Sequence, residues 1–411
     1  MRNVLIGCAA LVASGCGDDA ACYIEGEAAE ACATLDCAPA GGAGPVFTDP
    51  VTVVPSDTMP ATITSLLSHN NLDIVWHGDR LYFAFRTGAS HFASEEVSMY
   101  IVSTQDQVTW THEATIELGR DVREPRFLSY DGRLFLYFAV LGDVPVLFEP
   151  QYAMVTEYQG PCGWTEPERI LPELDGFIPW RTKTVDGTAY MMGYIGGENI
   201  YQPDGEPVRV HWFTTEDGRT FEPVVAGQPI VLEGGASETD FVFTDDGGIV
   251  AVARNELGDA DGWGSKICRA EAGDLGTWTC AQDPKKYDSP ILFRHGDAIY
   301  LIARRQLAND GNYDLMRRDL PPEEQASIYN QAYWVSPKRC ALWRVDGEAL
   351  TVEHLLDLPS AGDTCFPGVV PLEGDTVLVY NYTSPIDEPD LKWYAGQTGP
   401  TSIYRTNLTL P

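Results

Sequence analysis

After the N-terminal region, hydrophobic positions alternate with polar ones in many short stretches. A period of two is typical of β-strands, and no stretch keeps the period of about 3.6 residues that marks an amphipathic helix. Gly, Asn and Asp separate the stretches, as expected of turns. The pattern therefore predicts an all-β protein.

One unit of this pattern returns six times. Each copy has a polar start, a hydrophobic strand, a turn centred on Gly and a second alternating strand. The six copies begin at Asn70, Arg123, Pro179, Glu238, Asp288 and Phe366. A small antiparallel sheet cannot bury both faces alone, so six such sheets are expected to stack radially into a ring. We predict a six-bladed β-propeller over residues 50–411; the alternative is a β-sandwich followed by a second domain.

Three turns between paired strands share an Asp followed four residues later by an aromatic residue. They are Asp106–Trp110, Asp217–Phe221 and Asp274–Trp278. An Asp side chain can accept hydrogen bonds from the amides of its own turn, and the aromatic ring can fix the hairpin to its blade. The turns resemble the Asp-box of sialidases and related propellers, with one residue fewer between Asp and the aromatic. This resemblance implies a propeller of sialidase-like organisation.

The run from Glu238 to Asn255 resembles the sialidase blade that carries a glutamate and one arginine of a triad. In that family the glutamate assists a tyrosine nucleophile, and the arginines hold the carboxylate of the sugar. The resemblance implies these roles for Glu238 and Arg254. The tyrosine-containing start of the sixth blade is not matched by Asp363–Gly368, and Asn70–Asp73 replaces the arginine motif at the start of the first blade.

The polar starts are where a ligand site is expected, because the first strand of each propeller blade lines the central channel. Glycoside hydrolysis commonly needs two carboxylates, one as acid and one as base or nucleophile. In arabinanase-like propeller glycosidases, an aspartate of the first blade commonly serves as base. Asp73 resembles that aspartate in its position. We predict a catalytic set drawn from Asp73, Glu124, Glu238 and Asp240. The structural alternatives are a strand cap for Asp73 and a local ion pair for Glu124.

Arg86, Arg254 and Arg304 occupy matching positions after the turn glycines of three blades. Three converging guanidinium groups could bind a carboxylate or sulfate in bidentate fashion. The alternative is that each arginine pairs with an acidic neighbour inside its own blade. The other predicted substrate-binding residues are His91, Arg123, Arg181 and Asp288. For His91 the alternative is an exposed loop histidine without a role.

The first sixteen residues resemble a bacterial lipoprotein signal, with a positive start, an apolar stretch and small residues before Cys16. We predict a signal peptide at residues 1–15, lipidation of Cys16 and a cysteine-containing tether at residues 16–49. An ordinary secreted protein and an anchor at Cys8 are the alternatives. No later run approaches the roughly 18 apolar residues that a membrane span needs. We therefore expect an exported protein, held at the bacterial outer membrane or cell surface by its lipid.

Eight cysteines follow Cys16, and an even number in an exported chain favours disulfides. They are Cys22, Cys32, Cys37, Cys162, Cys268, Cys280, Cys340 and Cys365. Cys268 and Cys280 flank a predicted hairpin and could bridge its strands. No pair has the close spacing of a zinc site, so we predict neither a metal nor another cofactor.

The formal net charge of -33 gives a surface that repels nucleic acid and anionic headgroups. The expected partner is a glycan, and the chain is expected to be a monomer that binds no nucleic acid. The predicted function is an exo-acting glycoside hydrolase of the cell surface, with acidic sugars among its candidate substrates. A non-catalytic propeller that binds carbohydrate or protein is the alternative, and a polysaccharide lyase with a Tyr or His base is a third candidate.

Overall fold

The computed structural model describes residues 44–145, 147–199 and 205–411. The predicted signal segment, the lipidation site Cys16 and three tether cysteines, Cys22, Cys32 and Cys37, lie outside the described residues. Two short strands come first, β1 at Val46–Phe47 and β2 at Val51–Val54. Strand β1 therefore begins before residue 50, where we placed the start of the propeller.

Six antiparallel sheets then follow along the chain, and each forms one blade. Blade 1 contains β3 (Ser68–His77), β4 (Arg80–Gly88), β5 (Ser98–Thr104) and β6 (Thr111–Ile116). Blade 2 contains β7 (Val122–Tyr130), β8 (Arg133–Leu141), β9 (Pro150–Gly160), β10 (Gly163–Trp164) and β11 (Glu168–Ile170). Blade 3 contains β12 (Ile178–Val185), β13 (Thr188–Ile195), β14 (Val208–Thr215), β15 (Glu222–Pro223) and β16 (Ile230–Gly234).

The second half of the chain forms the other three blades. Blade 4 contains β17 (Ala236–Phe243), β18 (Ile249–Asn255), β19 (Ser265–Glu271) and β20 (Asp274–Asp283). Blade 5 contains β21 (Asp288–His295), β22 (Ala298–Gln306), β23 (Lys338–Asp346) and β24 (Thr351–Asp357). Blade 6 contains β25 (Gly368–Pro371), β26 (Thr376–Thr383) and β27 (Ser402–Thr409). Strands β1 and β2 both pair with β27, so strands from both ends of the propeller build blade 6 and close the ring.

The prediction of an all-β, six-bladed propeller is confirmed. The first strand of each blade begins within two residues of the predicted polar start. Hydrophobic side chains of neighbouring blades pack together, as Ile101 of β5 does in one buried cluster with Leu136 of β8. Because hydrophobic positions on both faces of a sheet are buried against neighbouring blades, an isolated blade would expose them to water.

Within the described residues, two α-helices and two short 3-10 helices, Gly197–Asn199 and Asn309–Gly311, interrupt the β pattern. Helix α1 (Pro322–Trp334) lies between β22 and β23, and the short helix α2 (Trp393–Gly396) lies between β26 and β27. The ring of Tyr333 meets that of Trp393 at 5.3 Å, which joins the two helices. Lys338 donates hydrogen bonds to the carbonyl oxygens of Tyr333 and Ser336 at 2.5 and 2.9 Å, which satisfies carbonyl groups at the end of α1. Neither of these helices has the length and apolar character of a membrane span within the described ranges.

Two disulfides link strands of the propeller. Cys268 and Cys280 bridge β19 and β20, which confirms the predicted hairpin bridge. Cys340 of β23 is joined to Cys365, just before β25, and so connects blades 5 and 6. Cys162 is exposed and has no disulfide partner within residues 44–145, 147–199 and 205–411.

The aspartate turns recur, although not in all the predicted places. Asp106 accepts hydrogen bonds from the amides two and three residues later, at 2.8 and 2.6 Å. Asp217 does the same at 2.8 and 2.6 Å. Asp274 instead begins β20, after the hairpin turn has been completed. Asp346 accepts hydrogen bonds from the amides two and three residues later, at 3.0 and 2.8 Å. This turn has Leu350 at the position where the predicted turns have an aromatic residue.

Candidate active site

A cavity of about 650 Å³ lies where the first strands of the blades begin. We call this end of the ring its mouth. The first-strand segments contribute Asn71, Glu124, Glu238, Asp288, Ser289 and Phe366 to the cavity wall. Helices α1 and α2 add Trp334, Trp393 and Tyr394. A slightly larger cleft of about 710 Å³, between the hairpin ends of blades 4 and 5, contains none of the predicted site residues.

A repeated β-bulge places one residue from each of blades 1, 2 and 5 at the cavity wall. The strand register shifts near the start of β3, β7 and β21. At these shifts Asn71, Glu124 and Ser289 have φ angles of 43°, 55° and 52°. Bulges turn a side chain away from the regular strand direction, and left-handed backbone in such residues is costly and concentrates at functional sites. The bulges therefore mark the cavity as the candidate site.

Glu124 is buried and incompletely paired. Its Oε2 has no hydrogen-bond partner among the described residues, and the nearest guanidinium nitrogen, Nη2 of Arg126, lies 3.6 Å away. Burial raises the pKa of Glu124 to about 7, with Arg126 opposing this rise and the nearby Glu238 adding to it. Glu124 therefore has the property required of a general acid near neutral pH.

Glu238 faces the same cavity in a different environment. It lies 2.8 Å from Nη1 of Arg254 and accepts a hydrogen bond from the amide of Ser289 at 2.7 Å. Arg254 also lies 3.3 Å from Glu256. Burial raises the pKa of Glu238, Arg254 opposes the rise, and Asp288 adds to it. The site thus contains one carboxyl group whose Oε2 lacks a hydrogen bond, Glu124, and one that contacts a cation at hydrogen-bond distance, Glu238.

Blade 5 and the residues packed against it contribute a network of charges to the cavity wall. Asp288 accepts hydrogen bonds from the hydroxyl of Tyr333 and from Arg304 at 3.1 Å. Although burial raises the pKa of Asp288, the cations Lys286 and Arg304 outweigh it and hold the pKa below its ordinary value. Lys286 donates to Glu256 at 2.5 Å and lies 4.1 Å from the Tyr333 ring centre. Asp288 is therefore a buried, ionised counter-charge.

A His–Asp–Tyr unit completes the wall. Nδ1 of His91 lies 2.8 Å from Asp363, and the hydroxyl of Tyr382 donates to the other carboxylate oxygen at 2.9 Å. His91 and Tyr382 line the cavity. Asp363 and Tyr382 were not among the predicted site residues. Tyr382 occupies the blade 6 position that matches Arg86 of blade 1, so this strand position was a usable signal for it.

Arg86 and Arg123 organise a loop at the mouth. Arg86 is fully buried outside the cavity lining, where it donates to Asp121 at 3.0 Å and to the carbonyl of Phe92 at 2.8 Å. Arg123 lines the cavity, pairs with the same Asp121 and donates to the carbonyl of His91 at 2.8 Å. The two arginines thus hold the loop that carries His91.

The three arginines at matching strand positions do not form one open group. Arg254 and Arg304 line the cavity, paired with Glu238 and Asp288 respectively, whereas Arg86 lies outside its lining. Arg254 and Arg304 pair with acids of their own blades, as the alternative expectation had it, whereas the partner of Arg86, Asp121, directly precedes the first strand of blade 2.

Three other predicted residues lie deeper in the ring. Asp73 accepts a hydrogen bond from the amide of Phe127 in blade 2 at 2.7 Å. Asp240 accepts one from the amide of Leu292 in blade 5 at 2.6 Å. Arg181 donates to a carbonyl of β21 at 2.8 and 3.1 Å. The structure gives these side chains backbone contacts with other blades, and none of them lines the cavity.

The cavity wall is balanced in charge and aromatic at its rim. Four cations and four acids line it: Arg123, Arg254, Lys286 and Arg304, with Glu124, Glu238, Glu256 and Asp288. Trp334 and Tyr394 are 40% and 46% exposed at the rim. In the part of the chain that the structure describes, no group of three or more His, Cys, Asp or Glu is placed to hold a metal ion. Polar groups that converge inside an apolar rim are typical of small-molecule sites.

Comparison with known proteins finds likeness in fold. No protein-family model matches the chain, and no curated protein matches its sequence. A protein of unknown function from Dyadobacter fermentans matches with a TM-score of 0.60 and 14% identity, over 90% of this chain and 100% of that one. The Trypanosoma rangeli sialidase in complex with sialic acid matches with a TM-score of 0.58 and 12% identity, over 90% of this chain and 59% of that one. The fold is a sialidase-like β-propeller.

Other solved forms of the trypanosomal protein agree with this assignment. A mutant of the sialidase that displays trans-sialidase activity matches with a TM-score of 0.57 and 13% identity, over 88% of this chain and 58% of that one. The sialidase-like propeller described here therefore spans somewhat more than half the length of the sialidase. At these identities the likeness establishes the fold alone.

Proposed function

We propose that this propeller is an exo-acting glycoside hydrolase that removes terminal sugars from an extracellular glycan. The observation that carries the proposal is Glu124, a buried carboxyl group in the cavity wall that lacks a hydrogen-bond partner for Oε2 among the described residues and has its pKa raised to about 7. A carboxylic acid that keeps its proton near neutral pH can protonate the oxygen of a leaving sugar. The fold likeness to a sialidase solved with sialic acid supports a sugar as the ligand.

Glu238 is proposed as the second carboxylate of the reaction. Its contacts with Arg254 and with the amide of Ser289 favour the charged form. A carboxylate of this kind can act as base toward water or toward a hydroxyl nucleophile, or stabilise positive charge on the sugar ring. Tyr382 supplies a phenol in the same cavity, with its proton directed at Asp363.

The rim supports action at chain ends. Helices α1 and α2 contribute Trp334, Trp393 and Tyr394 to one side of the cavity, and Leu147 and Phe148 come from the β8–β9 connection. A cavity bounded in this way suits a terminal sugar better than the middle of a chain. The exposed rings offer apolar faces against which a sugar can stack.

We also propose that the protein works outside the cytoplasm as a lipoprotein. The two disulfides among the described residues support export, because such bonds form and persist in oxidising compartments. We expect processing of the wild type to be sensitive to globomycin. We also expect Cys16→Ser to lose its membrane association. An unmodified, freely secreted wild type would contradict lipidation.

The test of the proposed function is an activity screen of the full chain on a glycan panel, followed by the Glu124→Gln variant. We expect release of a monosaccharide by the wild type and a loss of about 10² to 10⁴ in turnover for the variant on natural linkages. On aryl glycosides with good leaving groups the loss should be much smaller, because such groups depart without a proton. Glu353→Gln, on the exposed edge strand β24, is the matched control and should keep full activity.

Two outcomes would contradict the proposal. Equal losses of turnover on natural and aryl substrates in Glu124→Gln would show that Glu124 is not the general acid. Saturable binding of a panel glycan with no hydrolysis would indicate a carbohydrate-binding propeller instead.

A further inference from the structure

The guanidinium group of Arg126 is buried next to the candidate acid Glu124. It lies on β7 two residues after Glu124 and is only 1% exposed. Its guanidinium carbon lies 4.7 Å from the ring centre of Trp180 and 4.4 Å from that of Phe366. Rings from blades 3 and 6 therefore hold the cation between them, and Arg126 cannot swing out to solvent.

The hydrogen bonding of Arg126 is incomplete. Nη1 donates to the carbonyl of Pro125 at 3.2 Å, but Nε and Nη2 have no hydrogen-bond partner within the described ranges. Oε2 of Glu124, 3.6 Å from Nη2, also lacks one. Buried polar groups are nearly always hydrogen-bonded. A buried cation and a carboxyl group that becomes negative when it loses its proton thus face each other at slightly more than hydrogen-bond distance.

We infer that Arg126 is a positioning residue that receives the carboxylate of Glu124 each time this group has given up its proton. The inference rests on the acid role proposed above. In that step the proton of Glu124 moves to the glycosidic oxygen, the bond between this oxygen and the sugar carbon breaks, and Glu124 is left negative. A water molecule then supplies hydroxide to the sugar carbon and a proton to Glu124. Arg126 closes on Glu124 in the charged state and releases it in the neutral state.

The other charges around Glu124 do not offer the same contact. Arg123 is paired with Asp121, and Arg254 with Glu238. The carboxylate of Glu238 repels a negative Glu124. Among the cations that act on Glu124, Arg126 has the largest influence, and burial lowers its own pKa only to about 9, so it stays charged near neutral pH.

The experiment is a carbon-13 NMR titration of the glutamate carboxyl groups in the full chain, with the Glu124 signal identified by its loss in Glu124→Gln. We expect a wild-type midpoint near pH 7, in line with the raised pKa of Glu124. In Arg126→Met, which keeps an apolar chain between the rings, the midpoint should rise by about 1 to 3 pH units. Arg126→Lys should restore most of the wild-type value.

Arg133→Met is the control, because Arg133 also stacks on a ring, that of Phe135 at 4.6 Å, but lies at the hairpin of β8 away from the cavity. It should leave the Glu124 midpoint unchanged. If Arg126→Met does not fold, Arg126→Gln removes the same charge and has the same expected result.

A midpoint that stays at the wild-type value in the charge-removing variant would overturn the inference, even in an active hydrolase. The titration needs no substrate, so failure of the proposed function would be seen separately in the glycan screen. In an active protein, the alkaline limb of kcat/KM should move upward with the NMR midpoint. A merely structural role of Arg126 would lower the melting temperature and leave that limb in place.

Discussion

The carboxylates at the mouth of the ring and those deeper in it both lie on the first strands of blades, but their surroundings differ. Glu124 and Glu238 line the cavity, and Glu124 keeps an oxygen without a hydrogen-bond partner in the described structure. Asp73 and Asp240 each accept a backbone N–H from the first strand of the next blade, at 2.7 and 2.6 Å. The mouth pair can meet a ligand, whereas the deeper pair joins blades 1 and 2 and blades 4 and 5.

The β-bulges explain part of this difference. Glu124 lies within the bulge of β7 and is turned toward the cavity, while Asp73 and Asp240 lie beyond the bulges of β3 and β17. Past each bulge the strand is regular, and these side chains meet the adjacent blade. The position of a polar residue relative to the bulge therefore decides whether it faces the cavity or the adjacent blade.

The largest effect is expected at Glu238. Replacing it with Gln removes a carboxylate that pairs with Arg254, and turnover should fall by about 10² to 10⁴. Arg254 keeps Glu256, 3.3 Å away, as a second acidic partner, so the melting temperature should fall less than it does in Asp240→Asn. Steady-state kinetics and thermal unfolding measure the two quantities. Near-wild-type turnover in Glu238→Gln would show that Glu238 is not one of the two catalytic carboxylates.

A large effect of a different kind is expected at Asp240. Asp240 is fully buried, 2.7 Å from Nζ of Lys183. Breaking a buried ion pair by removing one partner costs about 3 to 5 kcal/mol, so Asp240→Asn should lower the free energy of unfolding by that order and leave turnover of the folded protein intact. Asp245→Asn, which breaks an exposed pair with Arg294, should leave the melting temperature unchanged. A fully stable but inactive Asp240→Asn protein would place Asp240 with the mouth carboxylates.

A somewhat smaller effect is expected in the pH dependence of stability. The pKa of Glu124 is about 7 in the folded protein, against an ordinary value of 4.5. The stabilisation of the folded state that comes from its tighter proton binding is therefore fully present below pH 4.5 and is lost as the pH rises through 7. The loss is on the order of 3 kcal/mol, because one pH unit corresponds to about 1.4 kcal/mol. Relative to the wild type, Glu124→Gln should therefore gain stability from pH 4 to pH 8. Denaturant unfolding at both values measures this, and parallel pH curves would show that the Glu124 environment is ordinary.

The ring could be predicted from sequence because its signal is local and repeated. Alternation, turn glycines and polar starts recur in every blade, and the Cys268–Cys280 bridge follows from one hairpin. Helix α1 was missed because its apolar positions follow no clear helical stripe, and packing of Tyr329 and Tyr333 under the rim stabilises it instead.

The candidate site could be predicted only in part. The polar starts supplied Glu124 and Glu238, which line the cavity, together with Asp73 and Asp240, which do not. Asp363 was missed because its contact with His91 joins residues 272 positions apart, and no local pattern encodes such a contact.

The central claim is that the mouth carboxylates serve chemistry and the deeper ones hold the blades together. The most direct measurement is turnover and melting temperature for Glu124→Gln and Asp73→Asn, side by side, on a glycan that the wild type cleaves. These are matched changes of carboxyl to amide on the first strands of adjacent blades. We expect Glu124→Gln to be folded and at least about 10²-fold slower, and Asp73→Asn to be active and less stable. Full activity in Glu124→Gln, or an inactive Asp73→Asn of wild-type stability, would contradict the account.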